Sequence, residues 1–135
     1  LENKTIDIFN NGKHSRDFTY IDDVVNGVIK VLNYLPKSNE SWDAKNPNQA
    51  TSKSPWRIFN IGNNRPQSLN EYVEVIEKVL KTKAKKRFLN LQPGDLLETF
   101  ANIDDFQNEF NFEPKTDIYE GIQKFVQWFR DYYKI

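Results

Sequence analysis

One arginine is the strongest candidate for chemistry in this sequence. Arg16 stands directly before Asp17–Ile21, a segment whose residue types favour an extended strand. A guanidinium presents its donors in a fixed fork that fits the oxygens of a phosphate, so this residue type suits anion binding. The alternative is a surface salt bridge to a neighbouring aspartate. The residues alone predict an α/β domain with one candidate anion-binding arginine.

The groups needed for most catalytic chemistry are missing. The sequence has no cysteine and His14 is its one histidine, which excludes cysteine nucleophiles, histidine metal clusters and a Ser-His-Asp triad within the chain. The five glycines form neither a G-x-G-x-x-G fingerprint nor a phosphate-binding loop, and no tyrosine is followed four positions later by lysine. We therefore expect no catalytic residue, metal or cofactor on this chain. His14, in a polar turn, is expected to be an ordinary exposed histidine.

Alternating strands and helices must position Arg16. Residue patterns typical of strands occur at Thr5–Phe9, Asp17–Ile21, Arg57–Ile61 and Phe88–Leu91. Apolar residues at helical spacing predict a helix capped by Asp22 or Asp23 that ends before Pro36, and a short helix carrying Ile103, Phe106 and Phe110. Ser68 with Glu71, and Asp117 with Glu120, have the spacing of capping boxes at two further helix starts. This order indicates a mixed α/β fold.

The remaining segments and the composition limit the partners. Residues 37–55 predict a long surface loop that Trp42 pins to the body, and the basic run 81–87 predicts a helix end and turn. Acidic and basic residues balance at 19 each, which gives no basic footprint for nucleic acid or an anionic membrane. No stretch is long and apolar enough to span a membrane. We expect a soluble, cytoplasmic protein, and the lack of Met suggests a piece of a longer polypeptide.

Four segments in order carry a resemblance to a known family. Residues 16–23 (RDFTYIDD), 57–63 (RIFNIGN), 92–95 (QPGD) and 121–133 (GIQKFVQWFRDYY) resemble blocks of the extended short-chain dehydrogenase/reductases that act on nucleotide sugars. The long loop ending in Ser54–Arg57 and the Gln-Pro-Gly-Asp variant look most like UDP-glucuronate 4-epimerases, which are often encoded for capsular polysaccharide synthesis. The resemblance spans nearly the whole chain.

The resemblance implies that residues 1–135 are the C-terminal nucleotide-sugar-binding region of a longer enzyme. It implies a small mixed α/β substrate-binding domain that packs on an N-terminal Rossmann domain, absent from this chain. That missing domain would bind NAD and hold the Ser/Thr-Tyr-Lys catalytic set. The complete enzyme would oxidise C4 of the sugar by hydride transfer to NAD and then reduce the rotated 4-keto sugar. This chain alone is expected to be inactive.

The resemblance also assigns six substrate-binding residues. Arg16 corresponds to an arginine that binds the diphosphate, and Asp95 to a carboxylate that accepts from ribose hydroxyls. Asp7, Ile8 and Phe9 correspond to a strand beside the uracil ring, although Ile8 and Phe9 are equally compatible with a core position. Gln92 departs from the family because many relatives have arginine at that position and gain a second phosphate contact.

Several alternatives stay open at the level of sequence. The parent protein could be another NAD-dependent UDP-sugar epimerase, a dehydratase or a decarboxylase on the same scaffold, because the residues that contact the hexose lie mostly in the missing part. A free-standing UDP-sugar-binding module without catalysis is a second alternative, and a plain interaction domain is a third. The sequence does not give the sugar, the hand of epimerisation or the oligomeric state. Because the helix bearing Val24, Val28 and Leu32 is apolar enough to need a partner, the chain is expected to self-associate.

Overall fold

The computed structural model describes Glu2 and residues 4–135 of the chain, which form four helices and five short strands among those residues. In chain order the strands are β1 (Thr5–Ile8), β2 (Ser15–Arg16), β3 (Gln67–Ser68), β4 (Lys85–Phe88) and β5 (Glu98–Thr99). The helices are α1 (Ile21–Val31), α2 (Leu69–Leu80), α3 (Asp104–Phe110) and α4 (Ile118–Tyr133). The predicted mixed α/β class is confirmed. No helix in the described part of the chain is long and apolar enough to cross a membrane.

Two small sheets organise the strands. β1 and β4 form a parallel pair in which Thr5 lies opposite Lys85 and Ile8 opposite Phe88. The second sheet has the order β3-β2-β5, with β2 antiparallel to β3 and parallel to β5. β2 is therefore the central strand of this sheet. The side chains of β2 therefore lie beside β3 and β5, which are distant from β2 in sequence.

A left-handed turn connects β1 to β2. Asn10, Asn11 and Gly12 all have positive φ (50°, 51° and 74°), as predicted for residues that tolerate this backbone region. Gly12 also has no room for a side chain, because a Cβ atom there would lie 1.9 Å from Oδ1 of Asn70. The turn is thereby packed against the first residues of α2 and fixes the direction in which β2 starts.

The core is small and rich in aromatic rings. Phe106 and Ile103 are fully buried, and Phe112, Ile8, Val73 and Ile122 are nearly so. Phe59 makes edge-to-face contacts with Phe106 and Phe110, which continue to Tyr34 and Phe112. Such ring pairs contribute about 0.5–1.5 kcal/mol beyond the area that they bury. The cluster fixes α3 against the segment that holds Phe59.

Ser68 and Asp117 cap their helices as predicted, but among the described residues neither Glu71 nor Glu120 makes the return bond that would complete a capping box. The side chain of Ser68 accepts from the Glu71 N–H at 3.1 Å, and that of Asp117 accepts from the Glu120 N–H at 2.8 Å. α2 ends at Lys81, whose left-handed backbone (φ 55°) closes the helix. α2 and α4 begin where the sequence predicts and pack against each other.

Three predicted elements are wrong in extent or kind. Residues 17–21 form no strand, because the Asp17 side chain takes the backbone N–H groups of other loops and β2 stops at Arg16. In the predicted strand 57–61 only Arg57 pairs, in an isolated bridge to Thr51. The predicted strand 88–91 lies three residues earlier, at Lys85–Phe88, where β1 supplies the ladder. Part of the basic run 81–87 is therefore strand, with α2 ending at its first residues.

Helix α1 also differs from its prediction. No side chain caps it, and Asp23 instead accepts from the backbone N–H groups of Lys115 and Thr116. Its buried residues are Asp23 and Gly27, so the apolar stripe predicted for it points outward. Gly27 is needed for this contact, since a Cβ atom would lie 3.0 Å from Ile61 and 3.3 Å from Phe106. In the loop before Arg57, Trp42 donates to the Asn48 carbonyl of the same loop.

Candidate functional site

Arg16 and Asp95 form an ion pair although 79 residues separate them. Nη2 of Arg16 lies 3.1 Å from Oδ1 of Asp95. Strand pairing brings them together, because β2 runs beside β5 and the Ser15 N–H donates to the Leu97 carbonyl at 2.8 Å. The two side chains are 31% and 33% exposed, so the pair is open to solvent and to a ligand.

Backbone carbonyls hold the Arg16 guanidinium in addition to Asp95. Nη1 donates to Ser15 at 2.8 Å and to Leu97 at 3.4 Å, and Nη2 donates to Leu96 at 2.9 Å. Among the described residues, no acceptor faces the remaining N–H on Nε. These contacts orient the guanidinium before any ligand is present. A phosphate could be reached by Nε, by Nη1 in exchange for its long contact to Leu97, or by Nη2 in exchange for its contact with Asp95.

His14 lies behind this ion pair and is buried. Its side chain is 5% exposed, and Nε2 lies 3.1 Å from Oδ2 of Asp95, the carboxylate oxygen that Arg16 does not contact. The prediction of an ordinary exposed histidine is therefore wrong. Two consecutive β contacts explain the burial: the His14 carbonyl accepts from the Leu69 N–H at 2.8 Å, and Ser15 pairs with Ser68.

An open groove of about 450 Å³ begins at Arg16. Its lining includes Arg16, Thr19, Asn60, Gly62, Thr99 and Asn102. Asn60 donates to the Asn102 carbonyl at 3.1 Å across this lining. Asp17 also lines the groove, but its carboxylate accepts from four backbone N–H groups, which leaves Arg16 and several amide and hydroxyl groups to bind a polar, negatively charged small molecule.

Asp17 builds the wall of the groove. Oδ2 accepts from the backbone N–H groups of Asn63, Asn64 and Ala101 at 3.0–3.3 Å, and Oδ1 accepts from that of Arg65 at 3.2 Å. Gly62 permits this approach, because a Cβ atom there would lie 2.6 Å from the Ala101 side chain and 2.8 Å from the Asp17 carboxylate. The segment 60–65, predicted as strand and turn, is thus fixed by a carboxylate.

Asp7, Ile8 and Phe9 are placed apart from Arg16 and Asp95 in the hydrogen-bond network of the described residues. Both Asp7 oxygens accept from Arg87 at 2.7 Å, and these bonds hold the pKa of the Asp7 carboxyl below its ordinary value. Ile8 is 3% exposed and belongs to the core. Phe9 is partly buried and begins the left-handed turn. Of the two positions that the sequence left open for Ile8, the side chain takes the one in the core.

Gln92 acts through its main chain in this structure. Its carbonyl accepts from the Asp95 N–H at 3.2 Å, which closes a turn over Gly94, where φ is 84°. The Gln92 residue is exposed. The turn aims the Asp95 side chain at Arg16, whereas the Gln92 amide has no hydrogen-bond partner among the described residues.

Two residues of the site, His14 and Asp17, were missed at the level of sequence. His14 and Arg16 are two apart, and residues at i and i+2 of an extended segment point to the same face. That spacing could have placed both beside one carboxylate. For Asp17 the sequence carries no comparable signal, because its four acceptor contacts reach loops more than 40 residues away. Within the described residues no group of three His, Cys, Asp or Glu side chains could hold a metal ion.

Comparison with known proteins shows what this chain is similar to. The model of the NAD dependent epimerase/dehydratase family matches residues 1–44. Protein CapI of Staphylococcus aureus is 41% identical over 134 residues, which is 99% of this chain and 40% of that protein. UDP-glucuronate 4-epimerase 2 of Arabidopsis thaliana is 41% identical over 138 residues, 99% of this chain and 31% of its own length.

A solved structure decides between a local motif match and a shared fold. The UDP-glucuronic acid 4-epimerase of Bacillus cereus, in complex with UDP-glucuronic acid and NAD, superposes with a TM-score of 0.75 at 26% identity. The match covers 98% of this chain and 37% of the epimerase chain. This chain is a relative of the NAD-dependent sugar epimerases. The resemblance stated from the four sequence blocks is confirmed.

The chain spans 40% or less of the length of these epimerase relatives. It is therefore similar to part of each relative rather than to a whole one. The complex of the Bacillus cereus protein shows that this relative binds UDP-glucuronic acid and NAD. The position of the present residues within a longer protein stays a prediction.

Proposed function

We propose that this chain is the nucleotide-sugar-binding region of an NAD-dependent UDP-glucuronate 4-epimerase, and that residues 1–135 form its C-terminal part. The observation that carries the proposal is the meeting of Arg16 and Asp95 beside one polar groove. The resemblance assigns Arg16 to the diphosphate and Asp95 to the ribose, and residue type alone already made Arg16 a candidate for anion binding. Relatives 41% identical over nearly the whole chain include UDP-glucuronate 4-epimerases, which supports the choice of sugar.

The side chains at this site fit a nucleotide diphosphate. Arg16 supplies a guanidinium with an N–H free to donate, and Asp95 supplies carboxylate oxygens that could accept from ribose hydroxyls. In the ligand-free state Arg16 and Asp95 are paired with each other, so a ligand would replace an ion pair that is already formed. Since partly exposed ion pairs are worth about 0–1 kcal/mol, this exchange costs little.

NAD does not fit this chain. The four described helices begin at Ile21, Leu69, Asp104 and Ile118, and none follows the glycine-rich turn that lets a backbone approach a pyrophosphate. We assign NAD binding, hydride transfer and acid–base chemistry to an N-terminal Rossmann domain of the longer protein. The role of the present residues is to bind and orient the nucleotide, which affects rate through positioning. A place in capsular polysaccharide synthesis and in the cytoplasm belongs to the same proposal.

Titration of the ¹⁵N-labelled chain with UDP and with UDP-glucuronate, followed by NMR, tests the proposal. We expect weak binding, with the largest shifts at Arg16, Thr99 and the backbone around Asp95. Arg16→Ala should weaken UDP affinity about tenfold, because a hydrogen bond to a charged group contributes about 1.5–3 kcal/mol. Arg130→Ala, on the exposed end of α4, is the matched control and should change nothing.

Two results would contradict the proposal. If Arg16→Ala leaves the affinity unchanged, Arg16 is a structural partner of Asp95 and not a ligand contact. If UDP and UDP-glucuronate cause no shifts at millimolar concentration, the groove is not a nucleotide site in this chain. Sequencing the gene upstream of Leu1 separates the remaining alternative, a free-standing binding module, because a Rossmann sequence in the same reading frame excludes it.

A further inference from the structure

His14 makes a contact that the ion pair alone does not require. The Asp95 carboxylate lies between two side chains, with Arg16 Nη2 at 3.1 Å from Oδ1 and His14 Nε2 at 3.1 Å from Oδ2. His14 Nε2 is fully buried and has no well-aligned hydrogen-bond partner among the described residues, so its contact with Oδ2 is oblique. A buried polar atom without an aligned partner is uncommon and calls for an explanation.

The backbone fixes the imidazole more firmly than it fixes Asp95. The His14 carbonyl accepts from the Leu69 N–H, and the adjacent Ser15 pairs with both neighbouring strands. Asp95 follows the exposed turn at Gly94 and is one-third exposed. The histidine is therefore enclosed by the protein, whereas the carboxylate is open to solvent on one side.

We propose that His14 is a positioning residue of the nucleotide-sugar site, which holds Asp95 when a ligand draws Arg16 away. This inference rests on the proposed function. When a diphosphate takes the Arg16 donors, Oδ1 of Asp95 becomes free to accept from a ligand hydroxyl. Nε2–H of His14 then retains Oδ2, and the carboxylate keeps its orientation. Without that donor, Asp95 would turn toward solvent and its ligand contact would weaken.

The different exposure of Arg16 and His14 decides which of the two contacts with Asp95 a ligand can replace. Arg16 is partly exposed and can be reached by a phosphate, whereas His14 is out of reach of any ligand behind the carboxylate. A ligand can therefore compete for one of the two contacts only. The arrangement lets the site exchange Arg16 from protein to ligand without releasing Asp95.

Two amide substitutions that differ only in reach test the proposal. The amide nitrogen of His14→Gln occupies roughly the position of Nε2, whereas that of His14→Asn lies near Nδ1 and does not reach Asp95. In NMR titrations with UDP we expect His14→Asn to weaken affinity about fivefold and His14→Gln to stay within about twofold of the parent. Glu77→Gln, at a buried carboxylate remote from Asp95 in the hydrogen-bond network, controls for general destabilisation.

A double substitution shows whether His14 acts through Asp95. In an Asp95→Ala background, His14→Asn should cause no further loss of UDP affinity, because the group that it positions is absent. Equal losses in both backgrounds would overturn the proposal, as would equal affinities of the Asn and Gln variants. A purely structural histidine would weaken binding in both backgrounds alike.

A ligand-free measurement separates this proposal from the proposed function. Hydrogen exchange at the Arg16 guanidinium reports on the contact with Asp95 without any nucleotide. We expect faster exchange in His14→Asn than in the parent, and restored protection in His14→Gln. If UDP does not bind but this pattern holds, the proposed function fails and the positioning role stands. If exchange is the same in all three proteins, the positioning role fails whatever UDP does.

Discussion

At the scale of single residues, carboxylates rather than apolar side chains organise the loops near the groove. Asp17 accepts from four backbone N–H groups that belong to two separate segments, 63–65 and 101. Bonds to an ionised acceptor are about twice as strong as those between neutral groups. One side chain thereby replaces the ladder that a strand at 17–21 would have supplied.

Replacing Asp17 should cost stability out of proportion to its size. We expect Asp17→Asn to lower the free energy of unfolding by about 2 kcal/mol, because an amide offers one acceptor and turns a donor toward other donors. Urea denaturation measures the change. Asp131→Asn on the surface of α4, where the carboxylate accepts from Gln127 alone, is the matched control and should cost about 0.5 kcal/mol or less. Equal losses in the two variants would deny Asp17 its organising role.

Glu77 links α2 to β4 and should make stability depend on pH. The residue is 5% exposed, and hydrogen bonds from Lys86, Lys83 and the Ala84 N–H lower the pKa of Glu77 from 4.5 to about 2. Because the folded pKa lies below the unfolded one, this stabilisation is complete above pH 4.5 and is lost as the pH falls toward 2. The urea midpoint of the parent should therefore fall more steeply over that range than the midpoint of Glu77→Gln. Glu74→Gln, one turn earlier on α2, is the control, and its urea midpoint should depend on pH as that of the parent does. If the urea midpoint of Glu77→Gln also follows the parent across this pH range, Glu77 is not the source of the pH dependence.

The residues of the site could be predicted only in part. Residue type and the family resemblance identified Arg16 and Asp95, and the structure brings these two together. The sequence does not show that they contact each other, because their meeting depends on the pairing of β2 with β5, two strands of two residues each. His14 was misjudged because a polar neighbourhood in sequence says little about burial. The backbone at His14 and Ser15 pairs with residues 68–69 and the imidazole contacts Asp95, and these partners are far away along the chain.

At the scale of elements, local signals fixed helix starts better than strands. A capping box is complete within four residues, so Ser68 and Asp117 could be read directly. A strand needs a partner that local sequence does not identify. Residues 57–61 have a strand pattern, but Phe59 packs among aromatic rings and Asn60 donates to the Asn102 carbonyl. Only Arg57 pairs, in an isolated bridge to Thr51.

Removing either helix cap should produce a similar, moderate loss. We expect Ser68→Ala and Asp117→Ala each to lower the free energy of unfolding by about 1 kcal/mol, since each leaves one backbone N–H without its acceptor. Thermal unfolding followed by circular dichroism gives the difference. Ser38→Ala in the surface loop is the matched control and should lie within the error of the parent. A loss confined to one of the two variants would show that the other helix start is held by packing.

At the scale of the whole molecule, the proposed division of labour with an N-terminal domain predicts a lack of turnover. The chain supplies a guanidinium and carboxylates near a groove but no Tyr/Lys couple and no glycine-rich loop. We expect no epimerised product when the chain is incubated with UDP-glucuronate and NAD and the sugar nucleotides are separated by chromatography. Turnover that disappears on substitution of Arg16 would contradict this assignment of roles.

The surface of the molecule carries an apolar stripe on helix α1 that is open to solvent. Helix α1 turns Asp23 and Gly27 inward and leaves its apolar stripe in solvent. The stripe consists of Ile21, Val25, Val28, Ile29 and Leu32, each 46–71% exposed, and continues to Leu35 at 83%. Five large apolar side chains on one helix face exceed what monomers usually expose without a binding role. The sequence predicts that this helix is apolar enough to need a partner, and the exposure of Val28 and Leu32 agrees with that prediction, whereas Val24 is half-buried.

Exposed apolar stripes of this size find a partner when none is covalently supplied, so the isolated chain should self-associate through α1. Light scattering coupled to size-exclusion chromatography should show a mass that rises from that of a monomer toward that of a dimer as concentration increases. Leu32→Glu should suppress this rise without loss of stability, because the side chain is 71% exposed and forms no core contact to lose. Tyr132→Glu on α4, at a residue 67% exposed, tests whether any charge on an exposed apolar face has the same effect. If Tyr132→Glu suppresses association and Leu32→Glu does not, α4 is the contact surface. If the parent stays strictly monomeric at high concentration, the apolar stripe of α1 does not drive self-association.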